Sequence, residues 1–240
     1  MQCLNSLIIT TSNSNLYDST NKTGVWLEDL AVPYFILKDG GDYITIASPQ
    51  GGQIPIDCNS QSATVVTANT KRFHQDAQAM YHLSHSLPLN EIKTEEFDLL
   101  FLVGGYGAMW DFPDNKWLNQ IIHNFHNQQK PIGLVGHAVV ALISLTTKNM
   151  EPFVKGMKLT AFSNDEQAAA GLDEEPPFSL ESALISLGAI YSKGANYKNY
   201  VVTDSTMITG QNPASSGDTA KQVLALAHQL KLTGEFEIQK

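Results

Sequence analysis

Apolar positions along the chain fall into short runs alternating with segments of helical spacing. Leu4 to Thr10 is an apolar run with β-branched residues and predicts a first strand. Gly24 to Lys38 places Leu27, Leu30, Ala31 and Tyr34 on one helical face, and Pro33 predicts a bend or break within it. Asp39-Gly40-Gly41 ends that segment, Tyr43 to Ala47 resumes as a strand, and Pro49-Gln50-Gly51-Gly52 reads as a loop. Arg72 to Leu87 is weakly patterned as a helix.

Asp98 to Val103 is continuously apolar and stops at Gly104-Gly105, as expected of a strand covered on both faces. Asn115 to Gln129 predicts a helix with Leu118, Ile121, Ile122 and Phe125 inward. Pro131 to Val135 predicts another buried strand, followed at once by a helical segment from His137 to Leu145. Lys158 to Phe162 reads as a strand and Ser179 to Leu187 as a helix. Val201 to Thr203 and Met207 to Thr209 form a hairpin around Asp204-Ser205, and Thr219 to Leu230 is a last helix. Strands alternating with helices imply right-handed crossovers and an α/β fold: a mostly parallel central sheet with helices on both faces. No repeat or linker divides the chain, so residues 1–240 are expected to form one domain.

Composition narrows the functional classes. The chain of 240 residues carries 15 basic and 24 acidic side chains, a net charge of −9, which disfavours a nucleic-acid partner. Its most apolar stretch, Pro131 to Leu145, is broken by Gly133, Gly136 and His137. It falls short of the roughly 20 residues that cross a bilayer. The N-terminus lacks a basic, long-apolar leader pattern, so a cytoplasmic protein with no membrane partner is expected. Two cysteines, Cys3 and Cys58, are too few for a disulfide scaffold.

Ligands of an open parallel sheet bind beyond the carboxyl ends of its strands. Two turns stand there: Gly104-Gly105-Tyr106-Gly107, and the abrupt strand-to-helix turn Val135-Gly136-His137. The second has the form that presents a nucleophile in hydrolase-like folds. The first matches neither a dinucleotide nor a Walker fingerprint. Its glycines provide a tight turn, and a functional reading adds backbone donors for an oxyanion. His74, His82 and His85 lack the carboxylate or thiolate partners of a metal site and read as surface histidines. Asp173-Glu174-Glu175 reads as a solvated acidic turn.

Several segments together resemble the ThiJ/PfpI superfamily, of class I glutamine amidotransferase-like fold, in its heat-shock chaperone and glyoxalase III branch. They are Thr23-Gly24-Val25-Trp26-Leu27-Glu28-Asp29-Leu30, Ile46-Ala47-Ser48-Pro49-Gln50-Gly51-Gly52, Gly104 to Pro113 and Thr209 to Ser216. The resemblance implies a flavodoxin-like three-layer sandwich and a homodimer. It also implies cofactor-free conversion of methylglyoxal to lactate, with chaperone activity in some relatives. It places Glu28 as the glutamate of the first helix and His137 as the histidine after the nucleophile. Gly104, Gly105, Tyr106 and Ala138 would line the pocket.

Three positions depart from the family pattern. Gly136 stands where the family has its nucleophilic cysteine, Gln167 where it has the acid that orients the histidine, and Tyr106 where a histidine is common. Thiolate attack requires a sulfur, and neither cysteine is near the elbow in sequence. A neutral Gln167 does not stabilise an imidazolium as a carboxylate does. Glycine also removes the strain, about 1–3 kcal/mol, of a side-chain-bearing residue at such a turn.

The expected function is therefore a catalytically degenerate member with a residual small-molecule pocket or a chaperone role. The alternatives are a lyase or hydrolase for methylglyoxal or a related small carbonyl metabolite, with Glu28 and His137 as acid and base, or a dimeric interaction protein. No cofactor and no metal are expected.

Overall fold

The computed structural model describes residues 3–16, 22–171 and 177–233. The acidic turn at Asp173-Glu174-Glu175 lies outside them. Strand β1 (Asn5–Ile9) leads through a loop to helix α1 (Leu27–Asp39) and strand β2 (Tyr43–Ser48). Helices α2 (Ala68–Gln75) and α3 (Ala77–Ser84) precede the short strand β3 (Leu87–Pro88). Strand β4 (Leu99–Leu102), the single-turn α4 (Ala108–Asp111), helix α5 (Lys116–Asn127) and strand β5 (Ile132–Val135) follow. Beyond a 3-10 turn come β6 (Lys158–Leu159), α6 (Asn164–Ala169), α7 (Leu180–Ser186) and β7 (Ile190–Tyr191). Strands β8 (Val201–Asp204) and β9 (Met207–Gly210) then form a hairpin that leads into helix α8 (Ser216–Thr233).

The main sheet has the order β3-β2-β1-β4-β5-β9-β8 and is parallel except for the β8–β9 pair. This is the mostly parallel α/β sandwich expected of the pattern. Alternation along the inner strands feeds two cores. Leu7, Ile9, Leu100 and Leu102 face the layer of α4, α5 and α7. Leu4, Ile8, Leu99, Phe101 and Val103 face the layer of α1, α3 and α8. Strands covered on both faces must be apolar throughout, which is why β4 and β5 read as unbroken runs. Gly133 is the exception within β5. A Cβ there would stand 2.7 Å from both the Phe101 ring and a Val223 methyl, so glycine lets Phe101 lie between strand and α8.

The structure departs from the sequence expectations at several elements. Pro33 lies inside α1 without interrupting it. The single helix expected over Arg72 to Leu87 is two helices, because Asp76 ends α2 and caps α3 by accepting from the Ala79 N–H at 2.9 Å. The helical segment after β5 is a 3-10 helix, Gly136–Leu142, rather than an α-helix to Leu145. The strand expected over Lys158 to Phe162 is confined to β6, which pairs with β7 in a separate two-stranded parallel sheet. The last helix begins three residues earlier than expected, at Ser216. No helix among the described residues is long and apolar enough to cross a membrane.

Candidate functional site

Strands β4 and β5 are parallel neighbours, so the turns beyond their carboxyl ends come together. The chain leaves β5 through Gly136, which has φ +57°. That is the left-handed region, which costs a residue bearing a side chain about 1–2 kcal/mol. Among the described residues, and apart from its chain neighbours Val135 and His137, a Cβ added at Gly136 would find one heavy atom within 4 Å, Asp29 Oδ2 at 3.7 Å. The turn after β5 thus holds a left-handed backbone at Gly136, and a Cβ there would meet no clash outside its chain neighbours.

Gly104 and Gly105 allow close backbone packing around this point. A Cβ on Gly104 would stand 2.4 Å from Asp29 Oδ2 and 2.6 Å from the Val135 carbonyl oxygen. One on Gly105, at φ +124°, would stand 2.4 Å from the Gly24 carbonyl oxygen. The Trp26 N–H donates to the Gly104 carbonyl at 3.2 Å and sets the start of α1 against the loop. Across the same loop, Asp111 accepts from Thr11 Oγ1 (2.8 Å), the Ser12 N–H (2.7 Å) and the Asn13 N–H (3.1 Å). Burial nevertheless raises its carboxyl to about 6.

The carboxyl beside the elbow belongs to Asp29, not to Glu28. Successive residues of an α-helix project about 100° apart, so two adjacent acids cannot face one point. Glu28 is turned instead to α2, where it accepts a short hydrogen bond from Thr67 Oγ1, the N-cap hydroxyl of that helix. Burial raises the Glu28 carboxyl, and the Thr67 bond opposes the rise. Asp29 is fully enclosed, and its Oδ1 accepts from Ser216 Oγ at 2.8 Å. Burial lifts Asp29 to about 7, with Glu28 pushing the same way and the Ser216 bond opposing. The motif Leu27-Glu28-Asp29-Leu30 contained this residue, but only the helical phase decides which acid turns inward.

His137 lies buried at the start of the 3-10 helix, its ring between Tyr106 (centroids 4.3 Å apart) and Phe162 (4.4 Å). Among the described residues its Nε2 has no hydrogen-bond partner, and burial depresses the imidazole to about 3, so it is neutral at pH 7. Ala138 follows it, fully buried. The segment carrying Phe162 returns to the elbow, where the Phe162 N–H donates to the Gly136 carbonyl at 3.5 Å.

Gln167 is buried one turn into α6, and its side chain makes no hydrogen bond to His137. The adjacent acid, Glu166, is spent on structure. It accepts from the Tyr197 N–H and Asn212 Nδ2, each at 2.7 Å, and closes the Ser163 capping box. Among the described residues the histidine therefore has no acid bonded to it.

The other sequence candidates stand apart from the elbow. His82 packs edge-on to Tyr34, and His85 stacks on Tyr81 at 4.5 Å. Among the described residues no group of three or more His, Cys, Asp or Glu side chains is arranged to hold a metal. Cys3 and Cys58 are both free and exposed, while Gly136 is buried.

Comparison with known proteins agrees with this architecture. Glyoxalase 3 of Candida albicans is 25% identical over 230 residues, covering 91% of this chain and 96% of that protein. The glutathione-independent glyoxalase HSP31 of Saccharomyces cerevisiae is 23% identical over 222 residues, covering 89% and 93%. Among solved structures, the Rapid Encystment Protein 24 KDa of Francisella tularensis superposes with a TM-score of 0.89 at 35% identity, over 93% of this chain and 99% of that one. Glyoxalase III from Candida albicans superposes with a TM-score of 0.79 at 23% identity, over 92% and 96%. The profile of the DJ-1/PfpI family matches residues 22–226, which include both turns, the Asp29 helix and the Gln167 segment, and the chain belongs to that family.

Proposed function

We propose that this protein is a family member without thiol-dependent glyoxalase activity, and that its elbow serves as a small-molecule pocket. The observation that supports the reading is Gly136, which has φ +57° at the turn after β5, stands where the resemblance puts the nucleophile, and supplies no reacting atom. The neutral His137 and the amide at Gln167 support it, because the acid that would stabilise an imidazolium is missing along with the thiol. The glyoxalase names of the relatives, together with the resemblance, make methylglyoxal the substrate to test. A chaperone role and a homodimeric assembly accompany the reading as further expectations of the resemblance.

A second reading is favoured by Asp29. A buried carboxyl near 7 beside an open position is suited to general acid–base catalysis of a small carbonyl compound, which contributes about 10²–10⁴-fold. In that reading Asp29, rather than Glu28, works with His137.

The deciding experiment measures methylglyoxal turnover by the wild type, Gly136→Cys, and Gly136→Cys with Gln167→Glu. No turnover by the wild type, with activity in the reverted variants, is the expected result. Wild-type turnover abolished by Asp29→Asn would establish the second reading instead.

A further inference from the structure

We propose that the cleft between helix α5 and the loop 146–153 is a binding site for a small aromatic monocarboxylate, its ring laid on Phe153 and its carboxylate met by Lys148 and the imidazoles of His123 and His126.

The cleft lies at the other end of the sheet from the elbow. The elbow follows Val135 at the carboxyl end of β5, whereas α5 ends at Asn127, just before the chain enters β5 at Ile132. A space of about 510 Å³ opens there, bordered by His123, His126, Asn127, Thr146, Lys148 and Phe153. A second space of about 250 Å³ shares His126 and Phe153 and extends to the β8–β9 turn, where Met207 pairs with Ile132.

Phe153 supplies the aromatic surface. Both imidazoles stand edge-on to its ring, His123 at 5.6 Å and His126 at 4.9 Å between centroids. An aromatic guest joins such a cluster more favourably than an aliphatic one of equal area. The polar groups around the ring are uncommitted. Among the described residues, the side chains of His123, His126, Asn127, Thr146 and Lys148 make no hydrogen bond or ion pair. The two imidazoles are half-buried, and burial lowers the pKa of each, with His123 adding to the effect on His126. Neutral imidazole offers one N–H donor and one acceptor nitrogen.

Charge selects a monoanion. No acid borders the larger space, and Lys148 is its ammonium group. The neighbouring charges are engaged elsewhere: Glu151 with Lys155 at 2.5 Å, Asp204 with the Lys158 N–H at 2.7 Å, and Lys130 with the Thr94 carbonyl at 3.2 Å. A dianion such as phosphate is disfavoured, because the last turn of α5, the negative end of the helix dipole, borders the cleft. A carboxylate seated by the imidazoles favours their charged forms, so binding takes up a proton.

The test titrates the wild-type protein with sodium benzoate, sodium acetate and inorganic phosphate by calorimetry between pH 5.5 and 8, and follows the imidazole nitrogens of His123 and His126 by NMR. Benzoate is expected to bind more tightly than acetate or phosphate. Its affinity should rise as pH falls, by up to about tenfold per pH unit, until the imidazoles are protonated in the free protein. The imidazole titrations are expected to move to higher pH in excess benzoate. Lys148→Ala should weaken benzoate about two- to fivefold, the scale of an exposed ion pair. Phe153→Leu should bring benzoate to the level of acetate, and His123→Gln with His126→Gln should remove the pH dependence. Imidazoles unmoved by benzoate, or acetate or phosphate binding as tightly as benzoate, overturns the proposal whether or not the variants fold.

Discussion

Asp29 Oδ2 stands 3.7 Å from the point that a Cβ on Gly136 would occupy, and the two residues face each other across the carboxyl ends of the central strands. The carboxyl is held from behind by Ser216 at the start of α8, and Gly104 makes room for it from the β4 side. The pair sets a buried carboxyl beside a turn residue that has no side chain.

Restoring the side chain should cost stability. Gly136→Cys places a Cβ at φ +57°, a penalty of about 1–2 kcal/mol, offset by about 0.4–1 kcal/mol from the reduced freedom of the unfolded chain. The space beside Asp29 adds no backbone clash. A net loss of about 1 kcal/mol is expected in urea denaturation, and a midpoint at or above that of the wild type would contradict the strain argument.

Asp29 should make the protein less stable as pH rises. Its folded-state pKa of about 7 lies above the ordinary value of 3.8, so the folded state binds the extra proton between those values. The stabilisation is complete below about 4 and is lost as pH climbs through 7, a change on the order of a few kcal/mol. Asp29→Asn removes that dependence. Its stability relative to the wild type should therefore increase from pH 4 to pH 7 and then level off, as read by denaturation at each pH.

His137 should act in the opposite sense. Its folded-state pKa of about 3 lies below the ordinary 6.5, so the unfolded state takes up the proton first and stability falls as pH drops below 6.5. At pH 5 the loss from this one residue amounts to about 2 kcal/mol. The ring should show no titration by NMR between pH 5 and 8. His137→Phe, which keeps a ring between Tyr106 and Phe162, should lessen the acid sensitivity.

Gly133 is a packing glycine, and Gly133→Ala should destabilise by about 1–3 kcal/mol through overpacking. The inserted methyl would meet Phe101 and Val223 at 2.7 Å on both sides. Thermal melting checks this, and combining it with Phe101→Leu should recover part of the loss. A double variant no more stable than Gly133→Ala would show that Phe101 is not the obstacle.

Much of this architecture is legible in the linear pattern, because buried parallel strands must be apolar on both faces. The runs at Leu99–Leu102 and Ile132–Val135, and the turns after them, announce both the sheet and the place of the site. The lack of a sulfur at Gly136 and of an acid at Gln167 is likewise a property of the sequence alone. Elements of two residues, such as β6 and β7, carry too little periodicity to be seen. They exist because the chain between β5 and β8 folds back on itself.

Tertiary structure decided which acid faces the elbow. Glu28 and Asp29 are neighbours of similar chemistry, and a shift of one residue turns a helical side chain by about 100°. That phase is set by contacts far apart in sequence: the Trp26 N–H on the Gly104 carbonyl, Thr67 on Glu28, and Ser216 on Asp29. The same contacts enclose Asp29 and raise its pKa, a consequence of burial that no local pattern specifies. The sequence by itself determined that the elbow has no thiol. Only the packing of α1 against the β4 loop, α2 and α8 determined that Asp29, its carboxyl pushed up by burial, is the acid that faces Gly136.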